Sequence, residues 1–152
     1  MKRILTAILS VAVLLTTFAC EKYDDGRPPK VVREHFAQMF PDAKDVEWEV
    51  ESGYWKVSFE TGTGVSRAES EAWYEDGGTW VRTETERLPS SLPEEIKTIL
   101  NSSEYASSMI EDVKFVQTPD GDFYQFELQV AGASIYVNVY DDGRIIPVKF
   151  EW

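Results

Sequence analysis

Carboxylates are the commonest reactive groups in this chain, and a pair of them is the machinery of glycoside hydrolysis. The densest set, Glu47, Glu49 and Glu51, alternates with Val46, Trp48 and Val50. That is the period of a strand with one dry and one wet face. These acids therefore read as a solvated surface, not an acid/base pair. Asp120-Gly121-Asp122 and Asp141-Asp142-Gly143 crowd oxygens together, but neither has the alternating ligands and closing Glu of a calcium loop. Both read as hairpin turns. His35 is the single histidine, and it falls beside the apolar stripe of its helix. Zinc lacks ligands in such a chain, and a nucleophile lacks a positioned base. No glycine-rich phosphate cradle precedes a helix. The sequence predicts a protein that is not an enzyme and uses no metal or cofactor.

Cys20, the sole cysteine, carries a different chemistry. Lys2 and Arg3 form a basic start, Ile4 to Phe18 an apolar stretch, and Ala19 a small residue before the thiol. This is the layout of a secretory signal, too short and wrongly flanked for a spanning helix. Thr17-Phe18-Ala19-Cys20 resembles a bacterial lipobox with Thr in place of the usual Leu. The resemblance implies that residues 1–19 are a lipoprotein signal peptide and that Cys20 is lipidated. The implied address is the cell envelope, lipid-anchored at the outer membrane on its periplasmic or surface face. Residues 20–28 have no apolar periodicity and are expected to be a tether.

Charge narrows the partners. Fifteen Lys and Arg face 27 Asp and Glu, a formal net charge of −12. That excess disfavours nucleic acid, which rewards clustered cations, and attachment to anionic lipid by surface charge. The expected associations are the membrane through the N-terminal lipid and an unknown protein. With one cysteine no internal disulfide forms, so the core must come from aromatics, and five Trp, seven Tyr and eight Phe supply it.

The elements that position these groups repeat, and repeats of this size mean a repeated structural unit. Val32, Phe36, Met39 and Phe40 fall at i, i+4, i+7 and i+8, the stripe of an amphipathic helix. Leu92, Ile96, Ile99 and Leu100 repeat it position for position. Pro41 ends the first helix, and Ser91-Leu92-Pro93-Glu94 has capping-box spacing before the second. Strands follow each helix. Val46, Trp48 and Val50, a turn at Ser52-Gly53, then Trp55, Val57 and Phe59 alternate in the first copy. Val113 and Phe115, a turn at 119–122, then Tyr124, Phe126, Leu128 and Val130 answer in the second. Third strands end in Trp73-Tyr74-Glu75-Asp76-Gly77 and Val139-Tyr140-Asp141-Asp142-Gly143, where Asp-Gly signals a hairpin. Fourth strands are expected over 79–84 and 145–151. One mismatch stands out. Ile135, Val137 and Val139 form a dry face, whereas their counterparts Glu69, Glu71 and Trp73 do not. Either the register slips near residues 61–64 or an edge lies open. The expected fold is α+β: two tandem modules, 29–87 and 88–152, each an N-terminal helix packed on a four-stranded antiparallel sheet.

If Trp55, Val57 and Phe59 face the helix, Tyr54 and Lys56 point away from it. Phe123, Gln125, Glu127, Tyr136, Asn138 and Tyr140 do the same in the second module. Aromatics beside amides and carboxylates on an outward face suit a partner-binding surface. The alternative is that two sheet faces meet and bury them. The candidate binding residues are Tyr54, Lys56, Phe123, Gln125, Tyr136, Asn138 and Tyr140. The rival function for the same aromatics is a surface protein that stacks a small ligand or glycan.

Phe40-Pro41-Asp42-Ala43, Val46 to Trp48, Trp55 to Phe59 and Tyr74 to Gly77 resemble the PepSY-like family of β-lactamase-inhibitor-like proteins. The second module departs from the first of these motifs, having a longer proline-free loop over 101–109. The resemblance implies tandem helix-plus-sheet modules, similar to those of the β-lactamase inhibitor protein. It also implies an envelope protein without catalysis that binds, and inhibits, another macromolecule such as an exported enzyme. No inhibitory loop is legible for transfer to this chain.

Overall fold

The computed structural model of the chain describes residues 22–148. The signal peptide expected over 1–19, Cys20 with its expected lipid, and the end of the strand expected to reach 151 lie outside the described residues.

The apolar stripes form helices where expected. Helix α1 (Lys30–Met39) buries Val32 and Phe36, and α2 (Glu94–Asn101) buries Ile96 and Leu100. The capping box does not form. Pro93 takes the N-cap position without a side-chain bond, and the Ser91 hydroxyl instead donates to the Leu88 carbonyl at 2.8 Å within a short 3-10 turn.

The strands are β1 (Lys22–Tyr23), β2 (Lys44–Glu51), β3 (Tyr54–Thr61), β4 (Ala68–Tyr74) and β5 (Trp80–Glu86). After α2 come β6 (Met109–Gln117), β7 (Phe123–Val130), β8 (Ala133–Val139) and β9 (Ile145–Pro147). They join in sequence order into one nine-stranded sheet, antiparallel throughout except for β1 beside β2. Two expectations are corrected here. The tether is structured from Lys22 onward: β1 pairs with β2, and the Asp25 carboxylate accepts the Val50 amide at 3.0 Å. The two separate four-stranded sheets are one sheet, because Thr83 to Glu86 of β5 pair directly with Gln117 to Lys114 of β6. An unpaired edge exposes a row of donors and acceptors, and this pairing removes the two edges that separate sheets would have kept.

Register decides which face each side chain takes. Phe59, Ser70, Thr85, Phe115, Tyr124 and Val139 stand opposite one another in turn from β3 to β8, so they share a face. That face carries both helices. Phe36 of α1 packs on Trp48, Phe59 and Tyr74, with ring centroids at 5.3, 5.0 and 6.5 Å. Ile96 and Leu100 of α2 pack with Val113, Phe126, Leu128, Val137 and Val139. Two apolar clusters thus lie side by side under one sheet face. Among the described residues no helix covers the opposite face.

The mismatch between the third strands resolves as a one-residue register difference. Tyr74 stands opposite Trp55 as Val139 stands opposite Tyr124. Val139 therefore corresponds to Tyr74, not Trp73, and the dry face of β4 is Ser70, Ala72 and Tyr74. The double glycine causes this. Gly78, with φ +87°, occupies the position of Gly143, with φ +90°, and its amide bonds the Glu75 carbonyl as Gly143 bonds that of Tyr140. Aligning Gly77 with Gly143 displaces the strand by one.

A helix-free face of the sheet

The side chains expected to point away from the helices do so. Tyr54 opens β3 at the surface, 38 % exposed. Phe123 and Tyr140 lie together with ring centroids 5.3 Å apart, and the Arg144 guanidinium stacks 4.3 Å over Tyr140. Gln125 donates through Nε2 to the Asn138 side-chain oxygen at 3.0 Å. Tyr136 stands opposite Glu127, and a bond to that carboxylate holds its phenol above the ordinary value, with burial adding to the effect. These five residues form one patch on β7, β8 and the turn after β8.

Tyr54 and Lys56 do not join that patch. The strands β4, β5 and β6 run between, so the candidate residues form two areas, not one. Lys56 is also committed internally. Its side chain is only 12 % exposed, and its ammonium meets Glu49 at 2.5 Å, Glu71 at 3.2 Å and Glu51 at 3.5 Å. Burial by itself would lower its pKa, but the carboxylates more than reverse that and hold it above the ordinary value. Trp73 closes the cage from beside it. Its indole donates to Glu51 at 2.8 Å while Arg82 stacks 4.0 Å over the ring. The Glu51 carboxylate lies below its ordinary pKa because of that indole bond first, with Lys56 adding to it.

We expect Lys56→Ala to lower stability by about 1–2 kcal/mol, the loss of a charged partner discounted for the exposure of the acids. The loss should shrink in high salt, where the three remaining carboxylates repel less. Denaturant unfolding at two ionic strengths measures it. Tyr54→Ala, by contrast, should stay within about 0.5 kcal/mol of wild type.

The feature not anticipated from sequence lies beside the Lys56 cage, with which it shares Glu71, and runs from β2 to β6. A groove of about 390 Å³ is lined by Glu47, Glu60, Glu69, Glu71, Glu84 and Glu86, together with Asp45, Lys114, Ser58, Phe59 and Ser70. Asp45 reaches it from a bulge in β2, where its φ is +50° and the register with β3 shifts. Bulges re-aim side chains in this way. Glu86 has its carboxyl raised, by burial first and then by Glu69 and Asp112. The signal was legible: acids recur with period two not only in β2 but at Glu69 and Glu71 and again at Glu84 and Glu86. Each strand taken alone reads as a wet face, and only the pairing of β2 through β6 stacks them. Among the described residues no group of acids, His or Cys has the arrangement of a metal site.

Residues 53–146, more than half of the chain, match the family described as "Putative beta-lactamase-inhibitor-like, PepSY-like". No curated protein matches. Similar solved structures include a BLIP-like protein from Bacteroides fragilis, with 19 % identity, a TM-score of 0.72, and 84 % of this chain and 94 % of that one covered. A DUF2874 family protein from Bacteroides uniformis has 22 % identity, a TM-score of 0.68, and coverage of 79 % and 87 %. A third, from Bacteroides eggerthii and described as "putative periplasmic proteins", has 17 % identity, a TM-score of 0.67, and coverage of 80 % and 90 %. At such identities the likeness speaks for the fold. Among the described residues no helix is long and apolar enough to cross a membrane. The sequence match takes in the motifs at 55–59 and 74–77, and the chain belongs to the PepSY-like, β-lactamase-inhibitor-like family.

Proposed function

We propose that this protein is a non-enzymatic, lipid-anchored component of the bacterial envelope that binds an exported enzyme through the helix-free face of its sheet. One observation carries the proposal: both helices pack on one face, and the other stays open across the strands while holding the aromatic and amide side chains of β7 and β8. A sheet face with aromatics set among polar groups is the composition that protein interfaces favour. Membership of a family described as inhibitor-like supports an enzyme as the partner. A similar structure described as periplasmic supports the envelope as the setting.

The test is capture from an envelope extract by wild type and by Tyr54→Ala/Tyr136→Ala/Tyr140→Ala. We expect the triple variant to lose a protein that wild type retains, and the retained enzyme to slow when wild type is added. Equal capture by both counts against this face.

The ring pair of Phe123 and Tyr140 beside the Gln125 and Asn138 amides favours a second reading, a stacking platform for a glycan. Calorimetry against envelope glycans separates the two, because a protein-only site gives no heat with any sugar.

A further inference from the structure

We propose that the end of the sheet bearing the connections 40–43, 62–67, 102–108 and 131–132 faces the lipid bilayer, a proposal that rests on the lipid-anchored reading of Cys20. Strand direction carries it. Two peptide links separate Cys20 from Lys22, a reach of about 7 Å, and at Lys22 the chain has already joined the sheet. A free tether of several residues would let the domain tumble. Here the strap is fastened: the Asp24 amide donates to the Trp48 carbonyl at 3.0 Å, Asp25 accepts the Val50 amide, and Lys22 pairs with Glu47. β1 runs parallel to β2, and each later strand runs antiparallel to the one before it. β1, β2, β4, β6 and β8 therefore all rise from the end where the lipid would attach. The connections that lead into β2, β4, β6 and β8 lie at that end, and the turns 52–53, 75–79, 118–122 and 140–144 lie at the other.

The charges of the two ends are an independent observation, and they point the same way. The distal turns carry Glu75, Asp76, Asp120, Asp122, Asp141 and Asp142, with Arg144 as their cation. The connections at the anchor end carry Asp42 and Glu104 against Arg67 and are otherwise uncharged. An anionic leaflet repels acids held close to it, so the anchor end is the one that can rest there. Among the described residues the two most exposed large apolar side chains also belong to it. Met109, 64 % exposed, opens β6, and Leu88, 70 % exposed, follows β5 beside Arg67 and Ala68. Apolar side chains at a bilayer surface sink into the headgroup boundary. Asp45, Glu60 and Glu69 also lie near this end, but on the broad face of the sheet, where Glu60 is paired with Arg67.

The orientation determines how a partner arrives. Tyr54 and Phe123 open β3 and β7, and Tyr140 follows β8, so all three sit at the distal end. Strands of seven or eight residues carry them about 25 Å further from the lipid, where a soluble protein meets them from the water.

The mature, lipidated protein is placed in vesicles of phosphatidylethanolamine and phosphatidylglycerol that contain a headgroup spin-labelled lipid. Acylation blocks the Cys20 thiol, so a fluorophore goes to the single new thiol of Thr63→Cys, Ser107→Cys, Asp120→Cys or Asp141→Cys, all exposed positions. We expect labels at the first two positions to be quenched at least about threefold more than labels at the last two, because about 25 Å separates the ends. Equal quenching at all four, or stronger quenching at the last two, overturns the proposal. Mass spectrometry of the same samples keeps the two levels apart. Acylated Cys20 with equal quenching leaves the anchor reading standing and removes the orientation alone. Cys20 without an acyl group removes both.

Discussion

Phe36→Ala is expected to cost about 3–5 kcal/mol, the range for removing a buried aromatic from a core. Phe36 is the hub of the first cluster. Besides Trp48, Phe59 and Tyr74 it touches Phe40, with centroids at 5.5 Å, and three of its four ring contacts are close to perpendicular. Edge-to-face pairs of this kind add to the burial itself. The cavity would be lined by rings fixed from several sides, so little collapse can refill it. A domain of this size has about 5–15 kcal/mol in total, and the variant would lose a large share of it.

The same variant reports on how the two clusters are coupled. Four residue pairs join β5 to β6 across the seam, with Glu84 and Lys114 bridging them at 3.3 Å. If this seam makes the sheet one cooperative unit, Phe36→Ala and Leu128→Ala each move a single transition to lower denaturant with an unchanged slope. Two independent units would instead split the curve, one limb staying at the wild-type midpoint. We expect the single transition, measured by tryptophan fluorescence and far-UV circular dichroism together.

How much of the fold is legible in the sequence follows from which forces are local. The stripes of α1 and α2 and the alternations of β2, β3 and β7 depend on neighbours a few residues away, and they stand where the pattern puts them. The turn at Ser52-Gly53 is likewise local, with φ of +52° and +83°. The continuity of the sheet is not legible, because pairing β5 with β6 depends on residues some thirty positions apart and no local pattern marks it. The groove escapes for the same reason. Glu47 and Glu86 belong to one surface only through the successive registers of β2 with β3, β3 with β4 and β4 with β5. Lys56 lies on the face that spacing assigns to it but serves the sheet instead of a partner. Spacing sets direction, whereas the cage of Glu49, Glu51 and Glu71 comes from two strands that flank β3.

Gly78→Ala should be the second most damaging change, costing about 2–4 kcal/mol from two sources. The backbone there is left-handed, φ +87°, which penalises an L side chain by about 1–2 kcal/mol. A Cβ would also stand 2.8 Å from Cγ2 of Val31, a half-exposed β-branched side chain on α1 with little rotamer freedom, and forcing it aside costs about 1–2 kcal/mol. The strain would not stay in the turn. The Gly78 carbonyl accepts a 2.7 Å bond from His35 Nδ1, and His35 packs edge-on against Tyr74 at 5.7 Å, so the turn, the helix and the last core residue of β4 are tied together. Gly77, whose Cβ would meet nothing within 4 Å and whose φ is not in the left-handed region, is the matched control. Gly77→Ala should fall within about 0.5 kcal/mol of wild type. Because Gly78 sets which of Trp73 and Tyr74 faces the helices, the damaged variant should also lose the Trp73 bond to Glu51. That loss is visible as a shift of the indole N–H resonance well before the midpoint of unfolding. If Gly77 proved the more sensitive of the two, the register assigned to β4, and with it the placement of Glu69 and Glu71 in the groove, would be wrong.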